Sequence, residues 1–245
     1  MSNIEKHSKK LIETAEQFFI ESVKSKYSYN FEWLSRPIIQ YPQDIVAFQE
    51  IVWRVKPDLI IETGIAHGGS LVLSASMLTL IDYCEALESG SLMDFQSPKR
   101  KVIGVDIDIR QHNRDALDSH PLRSRMILIE GSSIDKEIIN QVKNHAEKKE
   151  SILVCLDSNH THNHVLEELN AYAQLVTFGS YCIVFDTVIE DLPEELSGDR
   201  SWGKGNSPKS AVQEFLSSNS NFVIDKNIQD KLMLTVAPDG YLKRI

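Results

Sequence analysis

Five short runs constrain this chain more than any other feature: DLIIET (58–63), KVIGVDID (101–108), RMILIEG (125–131), ILVCLDS (152–158) and SYCIVFDT (180–187). Each is apolar at consecutive positions and reads as a strand buried on both faces. Helical patterns separate them: GGSLVLSASMLTLIDYC (68–84), SIDKEIINQVKNHAEK (133–148) and HVLEELNAYAQLV (164–176). This alternation predicts an α/β fold, a doubly wound and mostly parallel sheet with helices on both sides.

The runs also end on acids. Glu62, Asp106, Glu130, Asp157 and Asp186 each fall at the C-terminal end of a predicted strand. That edge is where open parallel sheets bind ligands. The whole chain carries 26 Lys+Arg against 35 Asp+Glu, a net charge of −9. Such a surface argues against nucleic acid as a partner. The three cysteines, Cys84, Cys155 and Cys182, lack paired spacing, so neither a disulfide framework nor a zinc cluster is expected, and a reducing, cytoplasmic location is. No continuous apolar run of about 18 residues is present, and the opening MSNIEKHSKKLIETAEQFF has no apolar signal core. No membrane span is expected.

Residues 1–57 read as a helical extension to a domain at 58–245. Ile4, Leu11, Ile12, Ala15, Phe18, Phe19 and Val23 lie near helical spacing over 4–26. An irregular aromatic stretch, Tyr27 to Pro42, follows. A second helix carries Ile45, Phe48, Ile51, Val52 and Val55, with Asp44 as its cap and Pro57 as its stop. The first helix and the aromatics serve as a homo-oligomer contact or as simple packing on the sheet. Beyond the fifth strand, residues 187–209 are polar and rich in Gly and Pro, which reads as a lid or a disordered segment. PKSAVQEFLSSN then forms a helix, and FVID and KLMLTVAP two closing strands.

Five constellations carry chemistry. Glu62-Thr-Gly64-Ile-Ala-His67-Gly68-Gly69-Ser70 joins a strand to a helix. Glycines permit close approach, and the helix N-terminus attracts negative charge. The alternative is a tight turn without a ligand. Asp106 can accept both hydroxyls of a ribose, or serve as a cap or surface charge. Ser132 and Ser133 can meet an adenine edge, or cap the next helix. Asp157 and Asp186 end adjacent strands, and two carboxylates that close favour a divalent cation; capping is the alternative. His160, His162 and His164 follow Asp157. Their spacing suits one zinc ion only on an extended strand, and this stretch enters a helix. A single histidine acting as general base fits better.

Together these stretches resemble the cephalosporin hydroxylase family, which is related to macrolide-sugar and rhamnosyl O-methyltransferases and has the S-adenosylmethionine (SAM) methyltransferase fold. The matching pieces are WLSRPIIQYPQD, PDLIIETGIAHGGS, VIGVDIDIR, IEGSSID, LDSNHTHNHVLEELNAYAQLV, GSYCIVFDTVIEDLP, GNSPKSAVQEFL and PDGYLKR, spanning roughly residues 28–245. The resemblance implies SAM held by Gly64 to Ser70, by Asp106 at the ribose and by Ser133 near the adenine. It implies Mg²⁺ on Asp157 and Asp186, with His160, three residues after the first metal aspartate, as the base. The related enzymes carry Glu-Asp at the fifth strand tip, where this chain has Phe185-Asp186. One ligand is missing, and the role falls to water, Glu190 or Asp191.

The expected activity is O-methylation of a sugar, glycan or small-metabolite hydroxyl. One rival is a hydroxylase component working with a partner protein. That needs a redox centre, such as iron on two histidines and a carboxylate, which the sequence does not recommend. A second rival, favoured by Phe185, is a non-catalytic SAM-binding subunit.

Overall fold

The structure is a computed structural model describing residues 7–196 and 198–245. Ile4, in the first expected helix, and Ser197, in the polar loop, lie outside the described residues.

Helix α1 (Lys9–Lys24) opens on Ser8, whose hydroxyl accepts from the Leu11 amide. The stretch expected to be irregular contains a hairpin, β1 (Phe31–Trp33) against β2 (Arg36–Ile38). Its two turn residues, Leu34 and Ser35, both have positive φ, 47° and 68°. A two-residue turn of the I′ type needs that conformation and normally recruits Asn-Gly, so Leu-Ser gave no signal. Helix α2 (Pro42–Val55) follows, capped by Tyr41 rather than Asp44. The Asp44 carboxylate instead accepts from the Val236 amide at 3.0 Å and the Tyr241 hydroxyl at 2.7 Å, and from the Thr235 hydroxyl.

The main body then runs β3 (Leu59–Thr63), α3 (Gly69–Ser89), β4 (Lys101–Asp106), α4 (Gln111–Asp118), β5 (Met126–Glu130), α5 (Lys136–Ala146), β6 (Ile152–Leu156), α6 (His162–Tyr172) and β7 (Tyr181–Val184). It closes with α7 (Pro208–Ser218), β8 (Phe222–Ile224), α8 (Lys226–Leu232) and β9 (Tyr241–Arg244). Seven strands form one sheet in the order β5-β4-β3-β6-β7-β9-β8. The first five are mutually parallel, and β9 is antiparallel to both β7 and β8. This is the expected doubly wound α/β architecture.

Alternate strand residues point to opposite faces. Ile60, Val102, Leu153 and Ile183 join a core beneath α1 to α4 and α8. Leu59, Ile61, Ile103, Val154 and Val184 join a second core beneath α5 to α7. Helix α3 is long and apolar enough, by length and composition, to cross a membrane, with a mean hydropathy of 1.4 over its most apolar window. Its Leu71, Val72, Ala75 and Leu78 are fully buried in the first core, which accounts for the apolar composition.

KLMLTVAP is not a strand. Its start ends α8, Met233 turns the chain at φ 61°, and Val236 and Ala237 enter the core from a turn. The strand that closes the sheet is β9, inside PDGYLKR.

Candidate functional site

The register of the sheet sets the strand ends in a row. The Gly64 amide donates to Val105 O at 2.8 Å, the Asp157 amide to Thr63 O at 2.9 Å, and the Phe185 amide to Leu156 O at 3.0 Å. Gly64 therefore sits between Asp106 and Asp157. It has φ +81°, and a Cβ there would lie 2.1 Å from the Asp157 carbonyl oxygen, so no other residue fits. A Cβ on Gly69 would lie 2.3 Å from Pro37 O, which fixes the start of α3 against the β1–β2 hairpin.

The turn between these glycines is braced. Asp106 Oδ2 accepts from the Ile65 and Ala66 amides at 2.9 and 3.2 Å. Asn113 Nδ2 donates to Ala66 O at 3.0 Å, and Arg36 Nε to His67 O at 3.0 Å. Gly68 is the cap of α3. Glu62 stands behind the turn, 3% exposed, and accepts the Ser70 hydroxyl. Burial pushes its carboxyl up to about 7 against the opposing pull of Ser70 and Ser74. Glu62 thus holds the turn from inside the core.

Two cavities open on this edge. One, of about 110 Å³, is lined by Asp106, Ser132, Ser133, Asn159 and His164. The other, of about 480 Å³, is lined by His67, Ser70, Asp157, His160 and Asp186, and by residues of the 19–41 segment. Gly64 and Ser158 line both, so the two meet there. Together they have the size of a small-molecule site.

In the smaller cavity, Asp135 caps α5 by accepting from the Glu137 amide at 2.7 Å, which leaves Ser132 and Ser133 to the cavity. His164 Nε2 lies 3.0 Å from Ser133 Oγ and 3.2 Å from Ser158 Oγ. The Ser158 hydroxyl donates to Glu168 Oε1 at 2.6 Å, and Glu168 is fully buried. The Tyr172 hydroxyl donates to Ser133 O. Glu130, in contrast, pairs with Arg114 at 2.8 Å and takes no part in the cavity.

In the larger cavity, Asp157, His160 and Asp186 each bring one donor atom within 4.8 Å of the others. Asp186 has φ 56°, a left-handed turn that aspartate tolerates better than most residues. Its Oδ2 lies 3.2 Å from His160 Nε2. Burial holds the Asp157 carboxyl well above the usual range, and Asp186, Glu62, Glu168 and Asp44 push it further. Lys24, Lys26 and Arg200 line the same cavity, but among the described residues none of them pairs with Asp157 or Asp186; acids gathered so are costly unless a cation joins them. The two carboxylates suit a divalent cation of the Mg²⁺ or Mn²⁺ kind, and the imidazole beside them is placed to exchange a proton.

Neither side chain expected to replace the missing ligand is free. Glu190 accepts from the Gly205 amide at 3.0 Å and from the Ser207 hydroxyl, and Asp191 pairs with Lys209 at 2.7 Å. Phe185 is 8% exposed and belongs to the first core. The three histidines have separate partners. His162 binds Ser210 Oγ at 2.8 Å and Glu214 at 3.0 Å, and its amide donates to Asn206. His160 meets the Trp202 ring edge-on at 5.0 Å.

The site also contains residues that sequence reasoning did not single out: Gln40, Arg36, Asn113, Glu168 and Trp202. Arg36 and Gln40 lie in the WLSRPIIQYPQD stretch, and Trp202 is a large aromatic in a polar loop, which is a usable signal. Asn113 sits on α4, an eight-residue polar helix with no apolar period to reveal it.

Known proteins share this arrangement of the chain. The family model described as "Rhamnosyl O-methyltransferase/CmcI" matches residues 25–245. A rhamnosyl O-methyltransferase of Mycobacterium bovis (strain BCG / Pasteur 1173P2) is 30% identical over 204 residues, covering 82% of this chain and 73% of that protein. One from Mycobacterium leprae (strain TN) is 27% identical over 162 residues, 66% of this chain and 62% of that protein. Among solved structures, CmcI with magnesium and SAM superimposes with a TM-score of 0.57 at 16% identity, over 89% of this chain and 77% of that one. An O-methyltransferase from Bacillus cereus with S-adenosylhomocysteine (SAH) gives a TM-score of 0.51 at 15% identity, over 91% and 85%. These two likenesses establish the fold. The sequence match over nearly the whole described chain establishes more: the chain belongs to the rhamnosyl O-methyltransferase/CmcI family.

Proposed function

We propose that this chain is a SAM-dependent O-methyltransferase that methylates a sugar or sugar-bearing small molecule with the help of a divalent cation. The observation that carries the reading is the Asp157–His160–Asp186 cluster on the wall of a cavity that meets a second cavity at Gly64 and Ser158. Family membership supports it, since the curated relatives are named rhamnosyl O-methyltransferases.

In this reading the smaller cavity takes the adenosine. Asp106 Oδ2 holds the turn, and Oδ1, which accepts from the Asp108 amide at 3.2 Å, keeps a second lone pair for a ribose hydroxyl. Ser132 and Ser133 face the base. Gly64 to Ser70 lie along the methionine part, with His67 and Ser70 on the cavity wall. When bound, SAM supplies an electrophilic methyl group and Mg²⁺ on Asp157 and Asp186 lowers the pKa of a coordinated hydroxyl. With an acceptor hydroxyl beside the cluster, His160 would take up its proton, and Asp186, 3.2 Å from His160 Nε2, would stabilise the imidazolium that forms. The cavity orients the acceptor in line with the methyl group. Trp202 shields His160 from water on one side. The three free cysteines fit a cytoplasmic enzyme. The exposed Leu11, Ile12 and Phe18 of α1 fit a contact between copies of the chain.

The test is transfer of radiolabelled methyl from SAM to rhamnosides and related glycosides, with and without Mg²⁺, beside calorimetry with SAH. Labelled glycoside that disappears on chelation is the expected result. Absence of SAH binding would overturn the reading. Binding without transfer to any acceptor would instead favour the non-catalytic SAM-binding subunit, the reading that Phe185 suggested.

A further inference from the structure

The cation reading leaves a gap, because the strand tip that carries a glutamate in related enzymes carries Phe185 here. Phe185 is packed in the first core, Glu190 clasps the Gly205 amide and the Ser207 hydroxyl, and Asp191 is paired with Lys209. None of them can serve the cation.

A different side chain faces the cluster. Gln40 stands between β2 and α2 and is 7% exposed. Its Nε2 donates to Asp157 Oδ2 at 3.2 Å. Its Oε1 is buried and has no hydrogen-bond partner among the described residues. A buried amide oxygen without a donor is costly and calls for an explanation such as an ion or a water. Gln40 also lines both the large cavity and the narrow void that Asp157, Glu62 and Phe185 share behind it.

We propose that Gln40 is the third protein oxygen donor of the divalent-cation site, with Oε1 joining Asp157 and Asp186 in place of the carboxylate lost at Phe185. The proposal rests on the cation reading above and extends it. A neutral amide in place of a carboxylate lowers the negative charge of the donor set from three to two. Affinity for hard cations falls with ligand charge. The site therefore holds Mg²⁺ or Mn²⁺ more weakly than a three-carboxylate site.

The experiment is Mn²⁺ binding to the purified chain, by electron paramagnetic resonance of free Mn²⁺ and by calorimetry, in wild type, Gln40→Met and Phe185→Glu. Gln40→Met keeps the length and removes both amide functions. The expected result is a loss of about tenfold or more in Mn²⁺ affinity in Gln40→Met, with SAH affinity and the ion-free melting temperature close to wild type. Phe185→Glu should bind Mn²⁺ more tightly than wild type. If Gln40→Met is destabilised, Gln40→Asn, which retracts the oxygen by one methylene, gives the same readout. Wild-type affinity retained in a folded Gln40 variant overturns the proposal and leaves the cation reading standing. No Mn²⁺ binding to the wild type overturns both, and SAH binding then decides whether the methyltransferase reading survives without a metal.

Discussion

Trp202 meets His160 edge-on, with ring centroids 5.0 Å apart and an interplanar angle of 79°. The contact links the polar loop after β7 to the reacting end of the cavity. The loop is anchored just past the tryptophan: Glu190 holds the Gly205 amide and the Ser207 hydroxyl, and Asn206 accepts from the His162 amide. Trp202 therefore fixes the imidazole in place. Trp202→Ala is expected to lower kcat roughly ten- to hundredfold through misplacement of the base, with SAH affinity unchanged by calorimetry. A fall in SAH affinity equal to the fall in kcat would mean that the ring supports the whole site rather than His160.

His160→Ala should lower methyl transfer by about 10²- to 10⁴-fold, the usual range for a lost general base. Wild-type activity should show the rising pH limb that a general base imposes. In the variant that limb should be absent. A variant whose pH–rate profile matches wild type would remove His160 from the base role.

His164 orders the smaller cavity. The Ser158 hydroxyl is committed to the buried Glu168, so Ser158 Oγ is left to accept from His164 Nε2. The same Nε2–H reaches Ser133 Oγ at 3.0 Å and leaves the Ser133 proton for the ligand. His164→Ala should weaken SAH binding by about tenfold, the equivalent of one hydrogen bond to a ligand, while Mn²⁺ binding at the neighbouring site stays at its wild-type value. Equal losses of both ligands would point to a general collapse of the strand tips.

The buried acids set a pH dependence of stability. Burial, stronger than the hydrogen bonds from Thr235, Val236 and Tyr241, pushes Asp44 up to about 6, and Glu62 is pushed up to about 7. Each folded-state value lies above its unfolded value near 4. The folded state therefore binds more protons between about pH 4 and 7, and stability falls as pH rises through that window. Melting temperature without metal should drop from pH 5 to pH 8. In Glu62→Gln, which keeps an acceptor for Ser70, the drop should be smaller. An identical slope in that variant would assign the effect to other groups.

Most of the fold was legible because parallel strands buried on both faces leave long apolar runs and end on polar residues. The row from Asp106 through Gly64 to Asp157 follows from that pattern and from the sheet order. What escaped was built from single residues without periodicity. Leu34 and Ser35 make a hairpin turn with side chains that do not advertise positive φ. Asp44 looked like a helix cap because it stands in the first turn of α2, yet its partners are 191 to 197 positions away. Gln40 and Glu168 matter through neighbours that only the folded chain supplies. The alternation in KLMLTVAP was real, but it came from a turn dipping into the core.

The ties from Asp44 to Thr235, Val236 and Tyr241 also bear on how the enzyme comes into being on the ribosome. The cavity wall around Gln40 and Tyr41 adjoins α2, and α2 is fastened to residues synthesised almost two hundred codons later. Tyr241 itself opens β9, which completes the sheet between β7 and β8. A nascent chain can lay down β3 to β7 and their helices with the cofactor edge in register, while the acceptor wall has nothing to fasten to. On the proposed reading, methyl transfer should begin only once synthesis has passed Tyr241, and a fragment that stops short of it should hold Asp157, His160 and Asp186 without the wall that encloses them.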